Sequence, residues 1–181
     1  MKIILILLLS LWLYGDTKRD MFDLYQNNKF EEACAMGFDH FYHNKRDEEF
    51  VSLYSFACLK SDYIDRLAVP ATMLKYSKES RANAAYFSVI LMQKKLLYHA
   101  LLDNHDLSAY KLPTTDYVLS KVFDLYSNLE KERHPKAFYL FEDPKDPKIT
   151  YKLYLSHGAK ITKMIIEEFY DKIAVKRHIY W

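Results

Sequence analysis

Residues 28–60 have the sequence NKFEEACAMGFDHFYHNKRDEEFVSLYSFACLK, in which apolar side chains recur at helical spacing on both sides of a polar joint. The joint is Asn44-Lys45-Arg46. We predict one helix before it, over 30–43, and a second helix after it, over 46–60. Two helices with so short a connection form an antiparallel hairpin, which predicts a fold made of packed helix pairs.

The chain has two cysteines, Cys34 and Cys58, and the midpoint between them falls at position 46, in the joint of this hairpin. Residues equidistant from the turn of an antiparallel hairpin lie at the same height, so the two sulfur atoms can face each other. An even number of cysteines in an exported chain favours a disulfide. Two buried free thiols are the alternative. A catalytic redox pair is a further alternative, although no thioredoxin-like pattern surrounds the cysteines.

Helical spacing continues along most of the chain as far as residue 132. The predicted helices lie at 17–27, 30–43, 46–60, 62–77, 80–103 and 114–131. Thr114 or Thr115 is a suitable N-cap for the last of them. Within the helix over 80–103, the segment 82–102 is apolar on almost every side, but Gln93-Lys94-Lys95 at its centre favours a helix covered by neighbours over a membrane span.

The pattern changes after Pro135. Residues 138–141 and 149–155 have strand character, and the loop between them contains two prolines, so we predict a β-hairpin. Residues 159–176 predict an amphipathic helix, because their apolar positions are spaced by three and four residues. These positions are Ile161, Met164, Ile165, Phe169 and Ile173.

An offset of 34 residues pairs Phe22 with Phe56, Tyr25 with Leu59, Phe30 with Ile64, and Ala33 with Leu67. This period is the length of a tetratricopeptide repeat. The segment NKFEEA at 28–33 resembles the start of the second helix of that family, and the resemblance covers residues 18–77. Three positions depart from the family pattern: Met21, Gly37 and Pro70. The resemblance implies a protein-binding groove; an ordinary, non-repetitive helical domain is the alternative.

The predicted fold class is therefore mainly α. It consists of stacked helical hairpins, either tetratricopeptide-like or irregular, with a small C-terminal β-hairpin plus helix. We predict three parts: a signal peptide at 1–15, a helical-hairpin domain at 16–132, and a β-hairpin and helix at 133–181 that pack on it.

The signal peptide is predicted from Lys2, the apolar run at 3–14 and the small residue Gly15. A bilayer span needs about 20 apolar residues, which is longer than this run. A retained anchor is the alternative, and it would attach the chain to a membrane. Cleavage predicts a periplasmic or secreted protein.

Composition excludes several classes of function. Without residues 1–15 the chain has 25 basic and 24 acidic residues, a balance that gives no electrostatic case for nucleic acid. Three glycines and five prolines argue against a disordered or collagen-like chain. No phosphate-binding loop, nucleophile elbow or zinc-protease motif is present, so we predict no catalytic residue, no cofactor and no enzymatic activity.

Two groups of residues could nevertheless bind a ligand. Tyr139, Tyr151 and Tyr154 cluster in the predicted β-hairpin and could stack on cell-wall glycan or hold an extended peptide; covering one face of the sheet is the alternative. His40 and His43, three apart on one helix, could supply two ligands to a metal, and a half-buried helix end is the alternative. We predict an exported adaptor that binds another envelope protein, with a glycan-binding module as the alternative and a histidine-centred metal-binding protein or enzyme as a further one.

Overall fold

The structure is a computed structural model, and it describes residues 17–129 and 137–181. Within these ranges six α-helices are followed by four β-strands. The helices are α1 (Thr17–Gln26), α2 (Phe30–Asn44), α3 (Glu48–Lys60), α4 (Ala68–Met73), α5 (Lys78–Asp103) and α6 (Val118–Ser127). The strands are β1 (Tyr139–Glu142), β2 (Ile149–His157), β3 (Thr162–Tyr170) and β4 (Ile173–Tyr180).

Two sequence predictions fall on residues outside these ranges. The signal peptide at 1–15 is one of them, and the domain boundary at 132/133 is the other; both stay predictions. Among the described helices, none combines the length and the apolar character that a bilayer crossing requires.

The chain divides into two compact units. The helical unit contains the described residues up to Ser61 together with Val69–Ala84, and the mixed unit contains Asp62–Ala68 and the described residues of Ala85–Trp181. The division falls within α5.

In the helical unit, α1, α2 and α3 pack around small and apolar side chains. Gly37 of α2 lies so close to its neighbours that an added Cβ would be 2.4 Å from Tyr54 Cδ2 and 2.9 Å from Met21 Sδ. Asp47 caps α3, because its carboxylate accepts hydrogen bonds from the backbone N–H groups of Glu49 and Phe50. The predicted disulfide between Cys34 and Cys58 is confirmed.

In the mixed unit, the four strands form one antiparallel sheet in the order β1-β2-β3-β4. The predicted hairpin is present as β1 and β2, with Phe141 opposite Tyr151. A two-residue turn, Asp171-Lys172, joins β3 to β4, and both of its residues have positive φ, as a type I′ hairpin turn requires. The sheet core is formed by fully buried side chains: Tyr151, Leu153, Met164, Ile165, Ile166 and Tyr180.

The prediction of a mainly α fold of stacked helical hairpins was wrong, because the C-terminal part is a four-stranded sheet rather than a β-hairpin plus helix. The helix predicted over 159–176 instead covers the whole of β3 and the first part of β4. Met164, Ile165 and Ile166 are consecutive and all buried, which requires cover on both faces of the sheet. Apolar residues in such a strand do not alternate with polar ones, so they also fitted helical spacing.

Two other helix predictions need correction. Residues 62–77 do not form one helix: a 3-10 helix, Ile64–Leu67, precedes α4, which ends at Met73 three residues after Pro70. The helix predicted over 114–131 begins only at Val118, and its N-cap is Tyr117 rather than a threonine. Thr115 instead donates its N–H to the Ser120 hydroxyl at 2.7 Å.

Candidate functional site

A buried histidine lies between two carboxylates in the mixed unit. His178 of β4 has Nδ1 at 2.8 and 3.0 Å from the two carboxylate oxygens of Asp62, and Nε2 at 2.7 Å from Oε1 of Glu168. A ring with a carboxylate at each nitrogen is best satisfied as the imidazolium, in which both nitrogens donate. Burial lowers the pKa of His178, but the hydrogen bonds with Asp62 and Glu168 outweigh it, so the pKa is raised above its usual value.

Two tyrosines complete this cluster. The hydroxyl of Tyr117 donates to Asp62 Oδ1 at 2.6 Å, and the hydroxyl of Tyr180 lies 3.2 Å from the same oxygen. The two hydroxyl oxygens are 3.1 Å apart. Burial, together with the negative charge of Asp62, raises the pKa of both phenols well above 10, so both are neutral at physiological pH.

Local backbone geometry places Asp62 at the centre of this cluster. The residue follows the C-cap of α3 and has φ of 65°, in the left-handed region that aspartate and asparagine tolerate better than most residues. Its carboxylate thereby meets donors from β4 and from the start of α6. We name Asp62, Tyr117, Glu168, His178 and Tyr180 the Asp62 cluster.

The chemistry open to the Asp62 cluster is limited, because its members bind one another. Neither nitrogen of His178 is available to take a proton from a substrate, and both phenols are held in the neutral form. An acid or base catalyst needs a group within hydrogen-bond reach of a substrate. The geometry instead fixes β4 to β3 and to the turn at Asp62.

A second buried charge lies beside a cavity of about 260 Å³. Lys94 of α5 is only 2% exposed, and its Nζ donates to Asp65 Oδ2 at 2.7 Å and to the backbone carbonyl of Trp181. Burial lowers the pKa of Lys94, and the hydrogen bond to Asp65 offsets part of that effect. The lysine therefore joins α5 to the residue that follows β4.

The outer side of β4 is the exposed feature of the mixed unit. Among the described strands, β4 pairs with β3 alone, so it forms an edge of the sheet. Its first five residues are exposed, and the side chains of Ile173 and Val175 are 72% and 66% accessible. In an antiparallel edge strand, alternate residues direct their N–H and C=O groups away from the sheet. We name residues 172–180, with these outward groups, the β4 edge.

A bulge divides the β4 edge. Glu168 of β3 lies opposite Lys176, whereas the next residue, Phe169, lies opposite Ala174, so Val175 is an extra residue in β4. A bulge of this kind increases local twist and interrupts regular pairing. The regular part of the strand is therefore its second half, which the Asp62 cluster anchors.

The structure does not bring the three predicted binding tyrosines onto one surface. Tyr151 is fully buried, and its hydroxyl donates to Asp143 at 2.6 Å. Tyr139 is also buried and packs edge-on against Tyr126. Tyr154 is half-buried on the opposite face of the sheet from Tyr151, where its hydroxyl donates to Glu167 at 3.0 Å.

His40 and His43 are both exposed on α2. In the part of the chain that the structure describes, no group of three or more histidine, cysteine, aspartate or glutamate side chains is arranged to hold a metal ion. The structure therefore shows no further ligand near this histidine pair within the described residues.

The Asp62 cluster and the β4 edge were not predicted, for two reasons. His178 and the edge residues lie in or just after the segment that was predicted as a helix, and Asp62 is 116 residues from His178. One signal was present: β-branched residues at Ile165, Ile166, Ile173 and Val175 favour strands over helices.

The β4 edge, the Asp62 cluster and the cavity beside Lys94 are thus defined by the geometry of this chain. Each lies within the mixed unit. Comparison of the chain with models of protein families, with curated proteins and with solved structures finds no match.

Proposed function

We propose that this chain is a non-enzymatic protein-binding module that accepts an extended segment of a partner along the β4 edge. The observation that carries the proposal is an open edge strand with two large apolar side chains, Ile173 and Val175, mostly exposed to solvent. Strand addition supplies main-chain hydrogen bonds to such an edge, and side-chain contacts supply specificity.

Rigid anchoring of β4 supports this proposal. His178 and Tyr180 are buried on the strand and bonded to Asp62, and Lys94 donates to Trp181 immediately after it. A surface that is already ordered loses less conformational entropy when a partner binds. The buried polar groups therefore contribute to binding by holding the edge in place.

The same contacts favour binding over catalysis. Titratable groups with strongly shifted pKa values often mark active sites. Here the shifted groups Lys94, Tyr117 and His178 are each bonded to a carboxylate of the protein, at 2.6 to 2.8 Å. A structural role accounts for these pKa shifts.

We also propose that the module works outside the cytoplasm, in the periplasm or as a secreted protein. The disulfide between Cys34 and Cys58 is of the kind that persists in oxidising compartments. The predicted signal peptide at 1–15 supports the same location. The partner would then be another protein of the cell envelope.

Site-specific crosslinking tests strand addition at the β4 edge. A photoreactive amino acid replaces Ile173 or Val175 in the oxidised protein, and Tyr42, which is 73% exposed on α2, is the matched control position. We expect one partner to be crosslinked from both β4 positions and not from position 42. We also expect the purified partner to slow amide hydrogen exchange in β4.

The variant Ile173→Ser/Val175→Ser removes the apolar side chains, and Val69→Ser, at an exposed apolar residue of α4, is its control. We expect the double variant to lose the partner and the control to keep it. Equal crosslinking from position 42, or unchanged exchange in β4 with the partner bound, would overturn the proposal.

A further inference from the structure

We infer that the segment accepted by the β4 edge is acidic; this inference rests on the strand addition proposed above. The β4 edge contains three exposed cations in a stretch of six residues: Lys172, Lys176 and Arg177. Lys172 and Lys176 form no ion pair with any residue that the structure describes. The edge therefore presents an excess of positive charge next to Ile173 and Val175.

Two of the three acidic residues close to these cations are already engaged. Glu168 lies opposite Lys176 in the register, but its Oε1 is bound by His178 at 2.7 Å. Glu167 accepts from the Tyr154 hydroxyl and lies 3.7 Å from Arg177. Asp171, in the preceding turn, is the one further acidic neighbour along the chain. Opposite charges on adjacent strands stabilise a sheet, and like charges destabilise it, so an incoming strand with glutamate or aspartate fits this edge best.

A second copy of this chain fits the same edge poorly. Two β4 strands side by side would bring two sets of three cations together. The bulge at Val175 would also interrupt regular pairing between the copies. Lysines and bulges on edge strands are devices that oppose pairing of identical edges. A separate acidic segment can pair with the regular part of the strand, from Lys176 to Tyr180, and contact Ile173 and Val175 beyond the bulge.

An anionic membrane surface also matches basic and apolar side chains, but it leaves the outward backbone groups of the edge without hydrogen-bond partners. The outward N–H and C=O groups of β4 need hydrogen-bond partners when water is removed, and hydrocarbon supplies none. A peptide backbone supplies both donors and acceptors in register. The exposed backbone therefore favours an extended polypeptide over a lipid surface.

Capped eight-residue peptides test the inference with the full, oxidised chain. One peptide alternates valine with glutamate, and two others carry glutamine or lysine in place of glutamate. We expect the glutamate peptide to slow amide exchange in β4 and to bind about tenfold more tightly than the glutamine peptide at low salt. The lysine peptide should bind more weakly than either, and added salt should narrow the differences.

Variants with neutral side chains in place of lysines test which cations cause the preference for the glutamate peptide. Lys172→Asn/Lys176→Gln removes the two unpaired cations, with asparagine at 172 because φ there is 69°. Lys60→Gln/Lys78→Gln, at exposed residues of the helical unit, is the matched control. We expect only the first variant to bind the glutamate and glutamine peptides equally.

The outcomes separate this inference from the proposed function. Equal binding of the glutamate and glutamine peptides to the wild-type chain would overturn the acidic preference and leave strand addition standing. No change of exchange in β4 with any peptide would overturn the inference, and the crosslinks from 173 and 175 would then decide the proposed function separately. Binding to phosphatidylglycerol vesicles without peptide binding, or self-association that is lost in Lys172→Asn/Lys176→Gln, would likewise overturn it.

Discussion

The two units of this chain are stabilised by different kinds of contact. In the helical unit, a disulfide joins α2 to α3, and Gly37 allows α2 to approach Tyr54 and Met21 closely. In the mixed unit, buried charged contacts add to the apolar core: His178 lies between Asp62 and Glu168, and Lys94 is bonded to Asp65. A covalent bond and close packing stabilise the helical unit, and a buried polar network stabilises the mixed unit.

This difference predicts different sensitivities. A buried ion pair gives little net stability over well-packed apolar side chains, but the removal of one partner leaves an uncompensated charge. Close packing responds to volume instead, and a disulfide responds to reduction. The mixed unit should therefore be the more sensitive to changes of charge, and the helical unit to changes of volume and redox state.

The largest effect is expected for His178→Leu. The leucine cannot neutralise Asp62 and Glu168, so we expect the free energy of unfolding to fall by about 3–5 kcal/mol. Denaturant unfolding measures the loss, and hydrogen exchange should locate it in the mixed unit. His99→Leu is the matched control, since His99 is half-exposed and its Nε2 is 3.6 Å from Asp103; we expect a change within about 0.5 kcal/mol there. Equal losses in the two variants would contradict the assignment of the Asp62 cluster as an anchor.

Loss of the disulfide should have the next largest effect. For a loop of 24 residues between Cys34 and Cys58, chain entropy gives a destabilisation of about 3 kcal/mol on reduction or in Cys34→Ala/Cys58→Ala. Hydrogen exchange should increase first in α2 and α3. The reductant should have no effect on the double variant, which is the internal control. An unchanged unfolding midpoint of the wild-type protein after full reduction would disprove the stabilising role.

The same contrast explains which parts of the structure were predictable. The hairpin of α2 and α3, with its disulfide, joins residues 24 apart around one turn, so spacing in the sequence was enough. In the Asp62 cluster, Asp62 is 55 to 118 residues from its three partners, and Lys94 is 87 residues from Trp181. The spacing of apolar residues along the chain carries no information about contacts between residues so far apart. β3 was predicted as a helix because Met164, Ile165 and Ile166 are all buried, and the β4 edge could not be found without that strand.

Gly37→Ala tests close packing in the helical unit. The added methyl group would lie 2.4 Å from Tyr54 Cδ2, so α2 or the tyrosine must shift. Overpacking of this kind costs about 1–3 kcal/mol, and alanine returns about 1 kcal/mol through its higher helix propensity. We expect a net loss of about 1 kcal/mol, measured by denaturant unfolding. Asp39→Ala, at an exposed position of α2, is the control and should change stability by less than about 0.5 kcal/mol. A Gly37→Ala protein more stable than the wild type would show that α2 can move away at no cost.

The smallest changes in stability, and the sharpest contrast between the units, are expected when the pH is varied. The pKa of His178 is raised in the folded state, so its contribution to stability is complete below about pH 6.5, the value for an unfolded histidine, and is lost as pH rises through the raised pKa. Asp62 and Glu168 favour the charged ring, whereas burial and Lys176 oppose it. The stability difference between wild type and His178→Gln should therefore shrink as pH increases above 6.5.

The corresponding group of the helical unit has the opposite dependence. The N–H groups of Tyr76, Lys75 and Ser77 bind the Glu48 carboxylate and lower its pKa to about 2. Its contribution is thus present above pH 4.5, the usual value for glutamate, and is lost as pH falls through about 2. The difference between wild type and Glu48→Gln should shrink toward acid, where the difference for His178→Gln is at its largest. If the stability differences of the two variants change with pH in the same direction, the units do not differ in the charges that stabilise them. Opposite changes would assign an acid-sensitive carboxylate to the helical unit and an alkali-sensitive imidazolium to the anchor of β4.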